Sequence, residues 1–216
     1  MSLAKYKQIF REFAEEVEFM DENIKKLNLD KNSKILDIGT GMGAMSTLLA
    51  LNGFTVLTGE PEVDPERNGG GNHHHHHHDK SHEAHHCEHH EEHDWGSWNG
   101  WRDSAKKLGV ENKIKFQNFD AQDLPFGDSS FDGIFLYDAL QHIQNRELAL
   151  KECLRILNDD GIIVVIEWSK NQIEKDYKKY GYKIEFIDPK DYLKEEEIST
   201  EVLKGEIINF YILRKK

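Results

Sequence analysis

The chain has 216 residues, of which 38% are hydrophobic and 31% charged, and its formal net charge at pH 7 is −12. This length suits a single domain over 1–216, and the acidic balance excludes a general nucleic-acid binder, which presents a basic face. No apolar run reaches the roughly 20 residues of a membrane span, and no apolar segment follows a basic N-terminus as in a signal peptide. We therefore expect a cytoplasmic protein with no nucleic-acid partner and no membrane span.

The first predicted element is an amphipathic helix over 4–27. Apolar residues such as Phe10, Phe13, Val17 and Ile24 recur in it at mostly helical spacing among charged residues. We expect this helix to lie over the domain as a lid that covers the substrate.

A buried strand at 35–38 then leads into a glycine loop and a helix. Asp37 stands at the tip of the strand, and the loop places Gly39, Gly41 and Gly43 at alternate positions. Glycines permit a tight turn and let backbone N–H groups approach a ligand, while the start of the helix favours an anion. The same residues also fit a dinucleotide fingerprint, so the loop alone leaves the ligand open.

Further strands alternate with helices along the chain. Strands are predicted at 54–57, 113–117, 131–137 and 161–168, and helices at 98–108 and 146–157. This alternation specifies a doubly wound, mostly parallel α/β sheet, which is Rossmann-like. After a helix at 173–180, strands predicted at 183–187 and 207–213 form a C-terminal antiparallel hairpin.

Acidic side chains follow two of these strands, at the sheet edge where ligands of such folds bind. Glu60 ends the second strand, 21 residues beyond Gly39, where a carboxylate can accept hydrogen bonds from both ribose hydroxyls. Asp120 and Ala121 follow the third strand and are placed to bind adenine through the carboxylate and a backbone N–H. The simpler interpretations are a surface carboxylate at Glu60 and a turn cap at Asp120.

Together these motifs resemble those of a known family. They are Asp37-x-Gly39-x-Gly41-x-Gly43, Glu60, Asp120-Ala121 with Leu124-Pro125-Phe126, and Phe131-Asp132-Gly133-Ile134. The chain resembles the class I S-adenosylmethionine-dependent methyltransferases over about 34–60 and 101–168. It is similar to the small-molecule branch that includes enzymes of ubiquinone and menaquinone biosynthesis, and this resemblance implies a seven-stranded sheet.

The resemblance implies S-adenosylmethionine as cofactor and gives each motif a role. The resemblance implies that the loop, with Gly39, Thr40, Gly41 and Gly43, passes beneath the methionine moiety. Asp37 would orient the loop and the amino group, and Tyr137 would line the methionine side. Glu60 would hold the ribose, and Asp120 with Ala121 would hold the adenine. Asp37 also favours this ligand over NAD, because a carboxylate attracts an ammonium group and repels a pyrophosphate.

Methyl transfer depends mainly on alignment and exclusion of water, and a base is needed only where the nucleophile must lose a proton. Candidates for that base are Tyr137, Asp138, His142 and Glu167, although His142 also fits a rim residue that steadies a loop. The sequence leaves the acceptor atom open. Two other functions remain as alternatives: a metal-binding or metal-sensing protein that uses the fold as a scaffold, and a nicotinamide-dependent oxidoreductase.

A histidine-rich insert over 61–94 replaces the short connection that is usual after the ribose-binding acid. It holds twelve of the thirteen histidines. The candidate metal ligands are His73, His74, His75, His76, His77, His78, His82, His85, His86, Cys87, His89, His90 and His93. Imidazole and thiolate suit Zn, Ni, Co or Cu, and we expect Zn or Ni to modulate the enzyme. A purification tag and a disordered polar loop are the alternatives.

Trp95, Trp98 and Trp101 recur every three residues after the insert. They fit a hydrophobic anchor for the next helix, and the alternative is an aromatic wall beside the cofactor or the substrate.

Overall fold

Residues 3–62 and 100–216 are described by the computed structural model, and a seven-stranded sheet is their centre. The strand order is β3-β2-β1-β4-β5-β7-β6. The strands are β1 Ile35–Ile38, β2 Val56–Gly59, β3 Ile114–Phe116, β4 Phe131–Tyr137, β5 Leu157–Trp168, β6 Ile198–Lys204 and β7 Ile208–Lys215. Strands β1 to β5 pair in parallel, and β7 is antiparallel to both β5 and β6. The predicted fold class is confirmed.

The C-terminal hairpin uses a different segment from the one predicted. The strand expected at 183–187 does not form, and the outermost strand is β6, all of whose seven residues pair with β7. A short turn joins β6 to β7, whereas a hairpin from 183–187 would close a much longer loop at a greater entropy cost. Residues 183–187 instead lead into a short 3-10 turn at Pro189–Tyr192.

Six α-helices lie within the described residues. They are α1 Leu3–Phe10, α2 Val17–Lys26, α3 Ala44–Leu51, α4 Gly100–Lys107, α5 Arg146–Ile156 and α6 Lys170–Tyr180. No helix among residues 3–62 and 100–216 has the length and apolar character needed to cross a bilayer.

The prediction of one continuous helix over 4–27 is wrong. Helices α1 and α2 are separated by a 3-10 turn at Arg11–Ala14, and Arg11 has a left-handed backbone with φ of 48°. Beyond this turn the Glu16 carboxylate accepts the backbone N–H groups of Glu206, Ile207 and Ile208 at 2.7, 2.9 and 2.7 Å. This anchorage to the β6–β7 turn is a tertiary contact that helical periodicity does not reveal.

Two apolar layers cover the two faces of the sheet. Ile35 of β1 belongs to the layer that contains Tyr6 of α1, Met20 of α2 and Leu48 of α3. The next residue of β1, Leu36, belongs to the opposite layer, with residues of α5. Both faces of the parallel strands are therefore buried, and the exposed carboxyl edge of the sheet is left for ligands.

Candidate functional site

A cavity of about 920 Å³ opens at the carboxyl ends of β1, β2 and β4. Its wall contains seven of the nine residues predicted to bind the cofactor, namely Gly39, Thr40, Gly41, Glu60, Asp120, Ala121 and Tyr137. Two of the predicted residues, Asp37 and Gly43, do not line it. The three base candidates that line it are Tyr137, Asp138 and His142, while Glu167 does not.

The glycine loop is shaped by left-handed backbone conformations. Gly39, Gly41 and Gly43 have φ of 91°, 47° and 82°, a region that L side chains rarely adopt. A Cβ placed on Gly41 would meet no atom within 4 Å, so this residue faces open space. The loop is thus able to present its backbone to a ligand.

Gly43 serves the packing of the loop and does not line the cavity. It precedes α3, and its N–H donates to the Thr40 carbonyl at 2.8 Å. A Cβ placed on Gly43 would lie 2.9 Å from the Cβ of Trp101, which is too close for real atoms. Gly43 therefore lets α4 approach the loop, and the contact with the ligand expected for it stays a prediction.

Glu60 reaches across to the glycine loop. Its Oε2 accepts the Gly41 N–H at 3.1 Å, and the side chain is half-buried at the end of β2. The same carboxylate lines the cavity. This hydrogen bond joins the end of β2 to the glycine loop.

Asp120 lines the cavity and also caps its own turn. Its Oδ1 accepts the Gln122 backbone N–H at 2.8 Å and the Gln122 side-chain amide at 3.2 Å. The neighbouring Ala121 is buried, with 6% of its surface exposed. The capping role considered for Asp120 is therefore present beside its position in the cavity wall.

Asp37 lies beneath the loop, 1% exposed. Its Oδ2 accepts the Thr58 hydroxyl at 2.8 Å, and the Thr58 and Thr40 hydroxyls are hydrogen-bonded at 2.9 Å. Its Oδ1 has no hydrogen-bond partner among residues 3–62 and 100–216. Desolvation, together with the charge of Glu60, raises the pKa of Asp37 to about 7 despite the Thr58 hydrogen bond.

The base candidates have distinct surroundings. The Tyr137 hydroxyl donates to the Phe13 carbonyl at 3.2 Å, and burial raises the pKa of this phenol. Asp138 has φ of 50°, and its Oδ1 accepts the Trp168 indole N–H at 2.9 Å. Burial also raises the pKa of Asp138. His142 is exposed at the rim.

Glu167 is buried behind this group, 1% exposed. Its Oε1 accepts the Leu140 N–H at 3.1 Å, and its Oε2 has no partner in the described part of the chain. Desolvation, followed by the charge of Asp138, raises the pKa of Glu167 to about 8. Glu167 lies outside the cavity wall, and its hydrogen bond holds the turn at Leu140.

Sequence reasoning missed the part that the N-terminal turn plays in the wall, and it missed one buried polar residue. Glu12 and Phe13 line the cavity from the 3-10 turn between α1 and α2, a turn hidden by the prediction of a continuous helix. Thr58, which joins Asp37 to Thr40, lies one residue beyond the strand predicted at 54–57. Its polarity inside a buried strand is the signal that could have found it.

Residues 63–94 of the insert, with all the candidate metal ligands, lie outside the described residues, as do Trp95 and Trp98. Within residues 3–62 and 100–216 there is no group of three or more His, Cys, Asp or Glu side chains placed to hold a metal ion. Trp101 is 4% exposed and stacks on Phe116, with ring centroids 6.1 Å apart. For Trp101 this packing agrees with the anchor interpretation.

Comparison with known proteins gives one family and many similar folds. A family model described as a methyltransferase domain matches residues 97–165. The ubiquinone/menaquinone biosynthesis C-methyltransferase of Saccharophagus degradans is 35% identical over 86 residues, which are 38% of this chain and 34% of that protein. The chain thus spans about a third of the length of the curated relatives that it matches.

Solved structures extend the likeness to the whole fold. The PH0226 protein of Pyrococcus horikoshii has a TM-score of 0.62 and 16% identity, and the match covers 100% of both chains. A SAM-dependent methyltransferase of Aquifex aeolicus has a TM-score of 0.55 and 17% identity, over 89% of this chain and 88% of that one.

The strand order, the glycine loop followed by Glu60 and the family match over 97–165 agree with one another. Residues 97–165 are thus similar to a methyltransferase domain, and the fold is one that the chain shares with a solved SAM-dependent methyltransferase.

Proposed function

We propose that this protein binds S-adenosylmethionine in the 920 Å³ cavity and transfers its methyl group directly to a small-molecule acceptor. The observation that carries this proposal is the meeting of Gly41, Glu60, Ala121 and Tyr137 around one cavity, although they come from four separate parts of the chain.

The residues of the cavity fit the donor chemically. The Glu60 carboxylate is placed to accept hydrogen bonds from ribose hydroxyls, and Asp120 with Ala121 offers a carboxylate and a backbone N–H to an adenine edge. Apolar side chains from Met42, Met45 and Phe119 complete the wall and supply apolar surface for the faces of a purine ring.

Bound S-adenosylmethionine supplies a methyl group already activated on a sulfonium. The protein's task is then to orient the acceptor and to keep out water. The N-terminal turn contributes Glu12 and Phe13 to the wall, and the Tyr137–Phe13 hydrogen bond holds that turn on the tip of β4. This contact supports a lid role for the N-terminal segment.

Isothermal titration with S-adenosylmethionine, S-adenosylhomocysteine and NAD tests the proposal. We expect micromolar affinity for the two adenosyl ligands and no binding of NAD. Binding of NAD alone would indicate an oxidoreductase, and binding of no nucleotide would favour a scaffold that has lost its cofactor.

The curated relatives are named as C-methyltransferases of quinone biosynthesis. The similarity to them spans a third of their length and does not assign the acceptor atom of this chain.

We also propose a second property, which rests on the sequence of the insert. Twelve histidines and Cys87 between 73 and 93 supply ligands for Zn or Ni. A metal that orders this segment beside Glu60 would lower the entropy cost of cofactor binding, and the two ligands would then strengthen each other reciprocally.

Coupling is measured as the affinity for S-adenosylhomocysteine with Zn, with Ni and with chelator, in the parent and in a variant lacking 69–93. We expect metal to tighten binding in the parent only. An affinity that is unchanged by metal in the parent would remove the modulating role and leave an independent metal-binding appendage.

A further inference from the structure

A second cavity of about 580 Å³ adjoins the proposed cofactor cavity. The two cavities share Glu12, Phe13, Asp138 and His142 in their walls, and the second extends from there along α6 to residues 182–185. An acceptor held in it would meet the cofactor at the shared boundary. The side chains that line this cavity therefore indicate the chemical class of the acceptor.

Carboxylates dominate the charge of the second cavity. Five acidic residues line it, against two lysines, Lys179 and Lys183. Glu185 is ion-paired with Arg146 at 2.8 Å. The other four are Glu12, Glu15, Asp138 and Asp176, and none of them forms a salt bridge within residues 3–62 and 100–216. The cavity therefore favours a cationic ligand and disfavours an anionic one.

Aromatic rings add to this preference. Phe13, Trp168, Tyr180 and Tyr182 line the cavity, and the rings of the two tyrosines are stacked with centroids 5.8 Å apart. The faces of such rings attract cations. The Lys179 ammonium of the chain itself lies 4.8 Å from the centroid of Tyr180.

Asp138 lies at the boundary between the two cavities. It belongs to both walls, and its Oδ1 is fixed by the Trp168 indole N–H at 2.9 Å. Its left-handed backbone, with φ of 50°, places a carboxylate at the end of β4 at a conformational cost. A carboxylate at this boundary stands where the nucleophile would approach the methyl group.

We propose that the methyl acceptor is a small organic amine, which binds in the second cavity as an ammonium ion between the carboxylates and the tyrosine rings. The proposal rests on the proposed function and names the acceptor class for that site. The ammonium gives one proton to the Asp138 carboxylate, and the freed nitrogen lone pair forms a bond to the methyl carbon. The carbon–sulfur bond breaks with its electron pair retained by sulfur, which leaves a thioether and an N-methylated ammonium. The proton on Asp138 then passes to water.

The test is direct binding with three probes of similar size and different charge. Phenethylamine is the cation, 2-phenylethanol the neutral probe and 3-phenylpropionate the anion. Each is titrated calorimetrically with and without saturating S-adenosylhomocysteine. We expect only phenethylamine to bind appreciably, and we expect added NaCl to weaken its binding. Stronger binding of the neutral or the anionic probe, or no binding of the amine, would overturn the proposal.

Variants locate the binding. Glu15→Gln and Asp176→Asn change carboxylates of the second cavity that are absent from the wall of the first. Each should weaken phenethylamine binding by about two- to fivefold, the range expected for one solvent-exposed charge, and leave the affinity for S-adenosylhomocysteine unchanged. Glu174→Gln, an exposed acid on the same helix that does not line the cavity, is the matched control.

Equal effects of Glu174→Gln and Asp176→Asn would contradict the assigned cavity. Failure of the proposed function would appear separately, as absence of S-adenosylhomocysteine binding in the parent, since the amine titration is also run without that ligand.

Discussion

At the scale of single residues, the candidate site depends on a backbone amide and a carboxylate that face each other. Gly41 offers its N–H at the surface of the cavity, and Glu60 accepts it at 3.1 Å. A ligand that bonds to both groups gains charge-assisted hydrogen bonds without having to bring distant elements together.

Substitution of either residue should weaken the binding of S-adenosylhomocysteine. In Gly41→Val a branched side chain enters the open space in front of the loop and must adopt φ of 47°. Glu60→Ala removes a charge-assisted contact worth roughly 1.5–3 kcal/mol, so affinity should fall about tenfold or more. Calorimetry measures both. The control is Glu62→Ala, which changes an exposed acid two residues beyond Glu60. If folded Gly41→Val and Glu60→Ala both bound S-adenosylhomocysteine as tightly as the parent, the cofactor site would be misplaced.

Asp37 makes the stability of the fold depend on pH. Its pKa is raised from 3.8 to about 7 by burial, so the folded protein retains a proton that the unfolded chain loses above about pH 4. The contribution of Asp37 to the free energy of unfolding is fully present below the pKa that this residue has in the unfolded chain. It is lost as the pH rises through the pKa of Asp37 in the folded protein. Each pKa unit corresponds to about 1.4 kcal/mol.

We therefore expect the free energy of unfolding to fall between pH 5 and pH 8 more steeply in the parent than in Asp37→Asn, which cannot ionise. Urea titrations across this pH range measure the difference. Asp103→Asn, an exposed acid on α4, should keep the parent slope. A parent and an Asp37→Asn variant with the same slope would mean that Asp37 is ionised in the folded protein.

At the scale of elements, the glycine loop is fixed by the helix packed against it. The third glycine is required by α4, because a Cβ on Gly43 would lie 2.9 Å from the Cβ of Trp101. Gly109 offers a comparison, since its φ of 71° is similar to the 82° of Gly43 but a Cβ there would meet nothing within 4 Å.

Gly43→Ala should therefore destabilise the protein more than Gly109→Ala. Both substitutions strain the backbone by about 1 kcal/mol or more. Only Gly43→Ala adds a steric clash, which costs about 1–3 kcal/mol further. Chemical denaturation of the two variants gives the difference directly, and equal destabilisation would show that α4 does not press on the loop.

A second element-scale feature is the anchorage of the N-terminal segment. Glu16 accepts three backbone N–H groups of the β6–β7 turn, and a Cβ on Gly205 would lie 2.7 Å from the Glu16 Oε2. One carboxylate thus ties the segment that carries Glu12 and Phe13 to the far edge of the sheet.

Glu16→Ala should loosen this segment. Hydrogen bonds to a charged group contribute about 1.5–3 kcal/mol each, and the loss leaves three amides to be satisfied by water. We expect faster hydrogen exchange in residues 3–26 and at the β6–β7 turn, with β1 and β4 unaffected. Glu22→Ala, on the exposed face of α2, should exchange like the parent. Unchanged protection in Glu16→Ala would show that apolar packing alone holds the segment.

At the scale of the whole molecule, periodicity and motif spacing were sufficient for the parallel sheet and its carboxyl edge. Strands such as Phe131–Tyr137 are apolar runs bounded by turn residues, and these signals are local. The features that sequence did not predict depend on distant contacts. The break between the helices after Phe10 is accompanied by the contacts of Glu16 to residues 206–208. The outer strand forms at Ile198–Lys204 because this segment pairs with β7.

In the candidate site, too, local signals predicted some features, and distant contacts determine the others. Spacing along the chain placed Glu60, Asp120 and Tyr137 at one edge, since each follows a parallel strand. It could not separate Asp37 from the ligand surface, because that depends on Thr58 and Thr40 closing over the carboxylate. Nor could it give Phe13 a place in the wall, since that residue arrives from the turn between two helices.

The most direct test of the account is a crystal structure of the protein with S-adenosylhomocysteine. We predict that the ribose hydroxyls bond to the Glu60 carboxylate, that the adenine lies beside Asp120 and Ala121, and that the thioether sulfur points past Tyr137 towards the second cavity. A ligand bound elsewhere, or one whose ribose makes no contact with Glu60, would contradict the account.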